Sequence, residues 1–143
     1  MADADESVTV TEDTALSGNI MSVTDVDSTS HSLTTFTVAN DLATHNAATT
    51  ATIKNVGTFT VDATGAYTFT PVANFNGAIP AITYNMVDDG DATDTDSSVL
   101  TLSMVAVTDA MADADESVTV TEDTPKSGNI MSVTDVDSTS HSL

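Results

Sequence analysis

The sequence has almost no positive charge and no cysteine. Of its 143 residues only Lys54 and Lys126 are basic, and arginine, cysteine and tryptophan do not occur. Without cysteine there is neither a disulfide framework nor a thiolate metal site, so stability must come from a core or from cations held by oxygen ligands. Nucleic acids and anionic membranes need a positive surface. We therefore expect no nucleic-acid partner and no membrane insertion.

Acidic residues dominate the charge of the chain. Twenty-two Asp and Glu residues against two lysines give a formal net charge of −20 at pH 7. Hydrophobic residues nevertheless make up 40% of the chain and lie in alternating Val, Thr and Phe runs. Acidic disordered segments have few β-branched or aromatic residues. The sequence therefore predicts a folded protein.

An internal repeat organises the chain. Residues 1–33 and 111–143 are identical except that Ala15 and Leu16 are replaced by Pro125 and Lys126. A long fixed period, here 110 residues, is typical of tandem arrays, and the two differences indicate natural drift between repeats. We therefore divide the chain into a complete repeat at 1–110 and the first third of the next repeat at 111–143.

Apolar residues of the complete repeat recur with a period of two, which predicts strands and no helix. The expected strands are Ser7–Thr11, Gly18–Thr24, Leu33–Ala39, Ala51–Lys54, Thr58–Asp62, Ala66–Thr70, Ala81–Val87 and Val99–Val107. Seven or eight short strands in about 110 residues predict an all-β fold of the immunoglobulin-like sandwich type, followed by the first two strands of the next repeat. Two strands cannot bury a core alone, so the tail is expected to fray, to pair with another molecule, or to replace residues 1–33 of another copy.

The carboxylates lie mainly in turns and in the junction between repeats. If the strands run alternately up and down, one pole holds Asp25, Asp27, Asp62 and the loop acids Asp88, Asp89, Asp91, Asp94 and Asp96. Where two repeats meet, seven carboxylates would converge: Glu12, Asp13, Asp109, Asp113, Asp115, Asp135 and Asp137. Like charges this close need a neutralising partner.

Calcium is the cation that this set of ligands fits, because Ca²⁺ takes six to eight oxygen ligands in flexible geometry. We predict Ca²⁺ at the junction, with Asp25 and Asp27 as further ligands and Asp3, Asp5, Asp88, Asp89 and Asp91 as weaker candidates. The loop VDDGDATDTD lacks the EF-hand order of ligands, so it is either a second calcium site or a solvated loop.

Four motifs in order carry a family resemblance: VTVTEDT, TDVDS, GAYTFTPVANFNG and ITYNMVDDGDATDTDSSVLTLSMVAV. They resemble the cadherin-like tandem repeats, related to the VCBS class, of giant secreted RTX adhesins of Gram-negative bacteria. The resemblance implies a calcium-bound extender domain on the bacterial cell surface, with junction ligands at Glu12 or Asp13, in the linker, and at Asp135 and Asp137. The chain departs from the pattern at Val87-Asp-Asp-Gly-Asp91 and at Ser28.

Three kinds of function compete. The leading interpretation is a spacer whose neighbouring repeats are stiffened by Ca²⁺ for cell adhesion and biofilm formation. The alternative is a fibre subunit that assembles head to tail by strand complementation through residues 111–143. Catalysis is not expected, because His31, His45 and His141 are lone loop histidines and no aromatic sugar platform accompanies the acids.

Overall fold

The computed structural model describes residues 1–138 and 140–142. The chain divides into two compact units, Met1–Val107 and Thr108–Leu143, and each is described by itself. In the described part of the chain no helix is long and apolar enough to cross a membrane.

The first unit is an all-β sandwich, as the sequence predicts. Its strands are β1 (Glu6–Thr11), β2 (Leu16–Asn19), β3 (His31–Val38), β4 (Thr44–Asn46), β5 (Thr50–Ile53), β6 (Gly57–Val61), β7 (Ala66–Pro71), β8 (Ile82–Asp88) and β9 (Thr95–Val105). They form a five-stranded sheet in the order β1-β9-β8-β3-β4 and a four-stranded sheet in the order β2-β7-β6-β5. This architecture agrees with an immunoglobulin-like sandwich.

Strands β1 and β2 lie at the edges of different sheets. β1 pairs with β9 in parallel, from Glu6 opposite Leu100 to Thr11 opposite Val105. β2 pairs antiparallel with β7, with Leu16 opposite Phe69. The first twenty residues therefore close both sheets of the sandwich.

The core lies between the sheets, where side chains of alternate residues meet. Phe36, Phe59, Phe69 and Tyr84 are completely buried, and Phe36 and Phe59 pack edge to face with ring centroids 5.4 Å apart. The faces predicted from the alternation are buried in β3, β6, β7, β8 and β9, except that Met104 at the end of β9 is only half-buried. A tight turn at Asp62 joins β6 to β7, with Gly65 at a φ of 81°.

Two strands have boundaries that differ clearly from the prediction. The second strand ends at Asn19 rather than Thr24, because Ile20 turns its amide to the carbonyl of Gly65 and Asn19 Oδ1 accepts from the amide of Met21. β9 begins at Thr95, four residues before the predicted start, because its polar first residues still pair with β8.

Strand β4 was not predicted. Its residues Thr-His-Asn are polar, and the strand exists because it pairs with β3. The ring of His45 there stacks on Phe36 with centroids 5.0 Å apart. Tertiary packing, not alternation, makes this segment extended.

The tail copies of β1 and β2 are not strands in the described part of the chain. Among residues 108–138 and 140–142 the structure assigns no strand, only an isolated bridge between Ala112 and Thr134 that repeats the Ala2–Thr24 bridge of the first unit. The physical reason lies in the pairing, since β1 takes its partner from β9 and β2 from β7. The chain contains no second copy of either partner strand.

Candidate metal centre

Three carboxylates meet at the pole where the loop after β2 approaches the β8–β9 hairpin. One carboxylate oxygen from each of Asp25, Asp88 and Asp94 lies within 4.8 Å of the others. We call this group the acidic triad. The hairpin brings Asp94 there because the Asp88 amide donates to the Asp94 carbonyl at 3.0 Å. The preceding loop is tied to the same hairpin, because the Asp89 amide donates to the Ser30 carbonyl at 3.0 Å.

Asp88 is the most buried member of the triad as a residue, at 5% exposed. Its Oδ1 accepts from the hydroxyl of Ser28 at 2.8 Å and from the amide of Gly90 at 2.7 Å. These bonds fix the orientation of the carboxylate. Ser28, where the sequence departs from the family pattern, thus orients the Asp88 carboxylate.

A cation already lies against the triad. The Met1 ammonium donates to Asp94 Oδ2 at 2.8 Å and lies 3.8 Å from Asp25 Oδ2. The hydrogen bond to Asp94 raises the pKa of this ammonium. His31 Nε2 lies 3.3 Å from the same oxygen of Asp25.

Asp25 and Asp27 influence each other's protonation. Burial raises the pKa of Asp25, but hydrogen bonds from Asp27 and His31 outweigh it, so the pKa lies below the usual value. Hydrogen bonding to Asp25 and its charge raise the pKa of Asp27. When this pair takes up one proton, Asp27 is therefore protonated in preference to Asp25.

The remaining weaker ligand candidates, Asp3, Asp5, Asp89 and Asp91, accept hydrogen bonds from other groups of the chain. The Oδ1 atoms of Asp3 and Asp5 accept from the amides of Ser22 and Val99, both at 2.8 Å. Asp91 accepts from the amide of Thr93. In the same way, Asp89 Oδ2 accepts from the hydroxyl of Ser30 at 2.6 Å. These four carboxylates have local partners that tie segments of the chain together.

A second group of oxygens surrounds the buried hydroxyl of Tyr84. The hydroxyl contacts Asp3 Oδ2 at 2.9 Å, Glu6 Oε2, and the carbonyl of Ile20 at 3.0 Å. Burial raises the pKa of Glu6. Burial also raises the pKa of Tyr84, and Glu6 and Asp3 raise it further. The sequence pattern does not predict this cluster, because only the register of β8 in the sheet brings Tyr84 to the first residues of the chain.

Glu12 lies at the opposite pole, directly after β1. It is 1% exposed, its amide donates to the Val105 carbonyl at 2.9 Å, and its Oε2 accepts from the Val107 amide at 2.8 Å. In the described part of the chain its Oε1 is buried without a hydrogen-bond partner. Buried carboxylate oxygens are rarely left in this state. Oε1 is therefore suited to a cation.

Asp13 follows Glu12 in a left-handed backbone conformation, with a φ of 58°. Its Oδ1 accepts from the Asn74 amide at 2.7 Å, which ties this turn to the loop after β7. Asp13 is exposed, whereas Glu12 is buried. Glu12 therefore has a buried carboxylate oxygen that a cation could bind, whereas Asp13 holds the loop after β7 through the Asn74 amide.

The tail unit brings together part of its own predicted set. The Asp109 amide donates to Asp137 Oδ2 at 2.6 Å, and Asp135 Oδ1 accepts from the Asp137 amide at 2.9 Å. Asp113 Oδ1 accepts from the Ser132 amide at 2.9 Å, and Asp115 is exposed. The expected convergence of this set with Glu12 and Asp13 stays a prediction.

The triad differs in membership from the predicted ligand sets. Asp25 was a predicted ligand and Asp88 a weaker candidate, whereas Asp94 was placed at the pole but not among the ligands. The β8–β9 hairpin brings Asp94, six residues after Asp88, to the other two carboxylates. Oxygens up to 4.8 Å apart can share one Ca²⁺, because Ca–O distances are 2.3–2.6 Å. The residues present fit a Ca²⁺ ion completed by carbonyl or water oxygens.

Two face-to-face sheets, acidic poles and a 110-residue period define a β-sandwich tandem repeat. Residues 4–100 match the family model of the surface adhesin CshA repetitive domain. That match covers more than half of the chain, so the chain belongs to this family of surface-adhesin repeats. No curated protein matches the chain. The resemblance is thereby confirmed for a surface-adhesin repeat, while the cadherin-like, VCBS and RTX assignments stay expectations.

Proposed function

We propose that this chain is a calcium-stabilised extender repeat of a secreted bacterial surface adhesin. The family indicates a structural role at the cell surface, linked to neighbouring repeats. Beyond what the family indicates, we propose that the repeat binds Ca²⁺ and that Ca²⁺ stiffens the array for adhesion and biofilm formation. The acidic triad with an ammonium lying against it is the single observation that carries them.

The Met1 ammonium has no equivalent in an internal repeat. Met111 is the counterpart of Met1, and its nitrogen is an amide bonded to Ala110. At that position an internal repeat has no ammonium to offset its triad. Three carboxylates within 4.8 Å repel one another, and a divalent cation would remove that repulsion.

The buried Glu12 carboxylate is the reason to propose a second cation at the other pole. Its buried Oε1 lacks a hydrogen-bond partner among the described residues, and the predicted junction ligands follow a few residues after β9. Binding at both poles would stabilise each sandwich by mass action and would hold the linker between repeats. The array of acidic repeats would then become a stiff spacer.

The test is thermal unfolding in EDTA and in millimolar Ca²⁺. We expect Ca²⁺ to raise the Tm by roughly 10–20 °C, since a ligand at about 100 times its Kd stabilises the folded state by ~2.7 kcal/mol. A chain extended by one Ala before Met1 removes the ammonium from the triad. It should bind Ca²⁺ more tightly than the chain with a free terminus.

Matched variants separate the triad from general charge effects. Asp88→Asn should reduce the Ca²⁺-dependent rise in Tm, whereas Asp41→Asn changes the charge equally in a loop outside the triad and should leave it unchanged. Isothermal titration calorimetry measures the same difference as Kd. A Tm that EDTA does not change, or an equal response in both variants, would contradict the proposal.

A further inference from the structure

One asparagine of the chain is followed by glycine, and it lies in the loop that joins β7 to β8. The chain has eight asparagines, and only Asn76 precedes a glycine. Asn76 and Gly77, here called the loop pair, are both exposed, between the end of β7 at Pro71 and the start of β8 at Ile82. The loop pair is therefore open to solvent on a segment outside both sheets.

The loop pair makes no hydrogen bond with the described part of the chain. The loop is tied to the sandwich at Asn74, whose amide donates to Asp13 Oδ1 at 2.7 Å. Beyond this bond, neither the Asn76 side chain nor the Gly77 amide has a partner among the described residues. The Gly77 nitrogen can therefore turn toward the Asn76 side chain without breaking a bond within the chain.

Glycine at position 77 removes the steric barrier to that approach. It has no Cβ to crowd its own nitrogen, and its backbone adopts conformations that other residues rarely reach. The packing of the loop also favours glycine, because a Cβ at Gly77 would lie 3.0 Å from the ring of Phe75. A residue with a side chain would therefore both hinder the approach and displace the ring.

Two other asparagines show what distinguishes the loop pair. Asn55 is exposed in a turn with a φ of 61°, but the next residue is the β-branched Val56, whose amide donates to the Ile53 carbonyl at 3.0 Å. Asn85 lies within β8, and its Nδ2 donates to Thr35 Oγ1 at 3.1 Å. Asn55 is thus an exposed asparagine without the free glycine nitrogen after it.

We propose that Asn76 is a site of spontaneous deamidation, which converts it to aspartate and isoaspartate. The Gly77 nitrogen attacks Cγ of Asn76, and the new C–N bond closes a succinimide ring within the chain. The bond from Cγ to the side-chain nitrogen breaks, and this nitrogen leaves as ammonia with the proton of the Gly77 amide. Water then supplies OH to one ring carbonyl carbon and H to the Gly77 nitrogen, which opens the ring. Opening at Cγ gives aspartate, and opening at the main-chain carbonyl carbon gives isoaspartate.

The reaction changes the pole that carries Glu12 and Asp13. Two residues span at most about 7 Å, so Asn76 lies close to Asn74 and its bond to Asp13. Both products carry a carboxylate, which adds one negative charge to a chain whose formal net charge is −20. The isoaspartate form also lengthens the backbone by one carbon between this bond and β8. A repeat at the cell surface therefore gains an acid at this pole as it ages, with water as the only co-reactant.

Peptide mass spectrometry of the full chain, aged in mildly alkaline buffer with EDTA, tests this proposal independently of cation binding. Replacement of NH₂ by OH raises the mass of the peptide, and electron-transfer fragmentation distinguishes isoaspartate from aspartate. We expect deamidation at Asn76 to be at least about tenfold faster than at Asn55, which corresponds to ~1.4 kcal/mol in activation free energy. Asn76→Gln keeps the amide but would have to close a larger ring, so it should remove this fast step, whereas Asn55→Gln should leave it unchanged.

The same chain unfolded in guanidinium chloride gives the rate without any protection by the fold. We expect the folded and unfolded chains to deamidate at Asn76 at rates that differ by less than about tenfold, because the loop pair has no hydrogen bonds to lose. A larger slowing in the folded chain would show that the fold protects the pair and would overturn the proposal. It is equally overturned if Asn55 reacts as fast as Asn76, or if Asn76→Gln gains mass as fast as the original chain.

Discussion

Replacing Glu12 with Gln should change the stability of the sandwich in opposite directions with and without Ca²⁺. Glu12 is 1% exposed, and Val107 donates to only one of its oxygens. A buried polar group without a partner costs about 1–3 kcal/mol, and more when it is charged. Gln keeps the acceptor for Val107 and replaces the unpartnered charged oxygen with an NH2 group, which also lacks a partner but is neutral and therefore costs less to bury.

In EDTA, therefore, Glu12→Gln should stabilise the fold by roughly 1 kcal/mol, which corresponds to a Tm about 4–8 °C higher for a domain of this size. At Ca²⁺ near 100 times its Kd, the original chain gains ~2.7 kcal/mol from one site. If the variant loses that site, it becomes the less stable of the two by roughly 1.7 kcal/mol.

The assay is differential scanning calorimetry of both proteins in EDTA and in Ca²⁺. Glu122→Gln is the matched control, because Glu122 follows the same VTVT run but is exposed. It should change stability by less than about 0.5 kcal/mol in EDTA. A Glu12→Gln protein that is less stable in EDTA, or that keeps the full response to Ca²⁺, would refute the reasoning.

Three further predictions test the sandwich itself in EDTA. Glu6→Gln should raise the Tm at pH 7, because burial raises the Glu6 pKa and the folded state then disfavours the charged form. The gain in Tm should disappear by pH 4, where Glu6 takes up a proton. An equal gain at both pH values would count against this prediction. Phe59→Ala should cost about 3–5 kcal/mol in urea unfolding, since Phe59 is fully buried, against less than about 0.5 kcal/mol for exposed Val26→Ala. Asp62→Ala should destabilise the fold above pH 5, because Thr64 hydrogen bonds lower the Asp62 pKa. This loss should shrink as the pH falls through that lowered pKa, and urea unfolding that shows the same loss at neutral and at acidic pH would contradict the prediction.

The acidic triad illustrates what register adds to a pattern. The sequence places Asp25, Asp88 and Asp94 at one pole, because alternating strands fix which loops share an end of the sandwich. Which of the acids at that pole meet depends on the hairpin bond between the Asp88 amide and the Asp94 carbonyl. Asp91 lies in the same loop but accepts from Thr93 and is absent from the triad. Spacing alone does not distinguish these residues.

The sequence by itself determined the all-β class, the buried faces of most strands and the 110-residue repeat, because alternation and identity are local properties of the chain. Only the tertiary structure decided that the polar segment Thr44–Asn46 is a strand and that the Glu12 side chain is buried, since both depend on distant partners. The repeat shows the difference most clearly. The run VTVT at 8–11 belongs to β1, where β9 lies beside it, and the same letters are exposed at 118–121, where no strand pairs with them among the described residues.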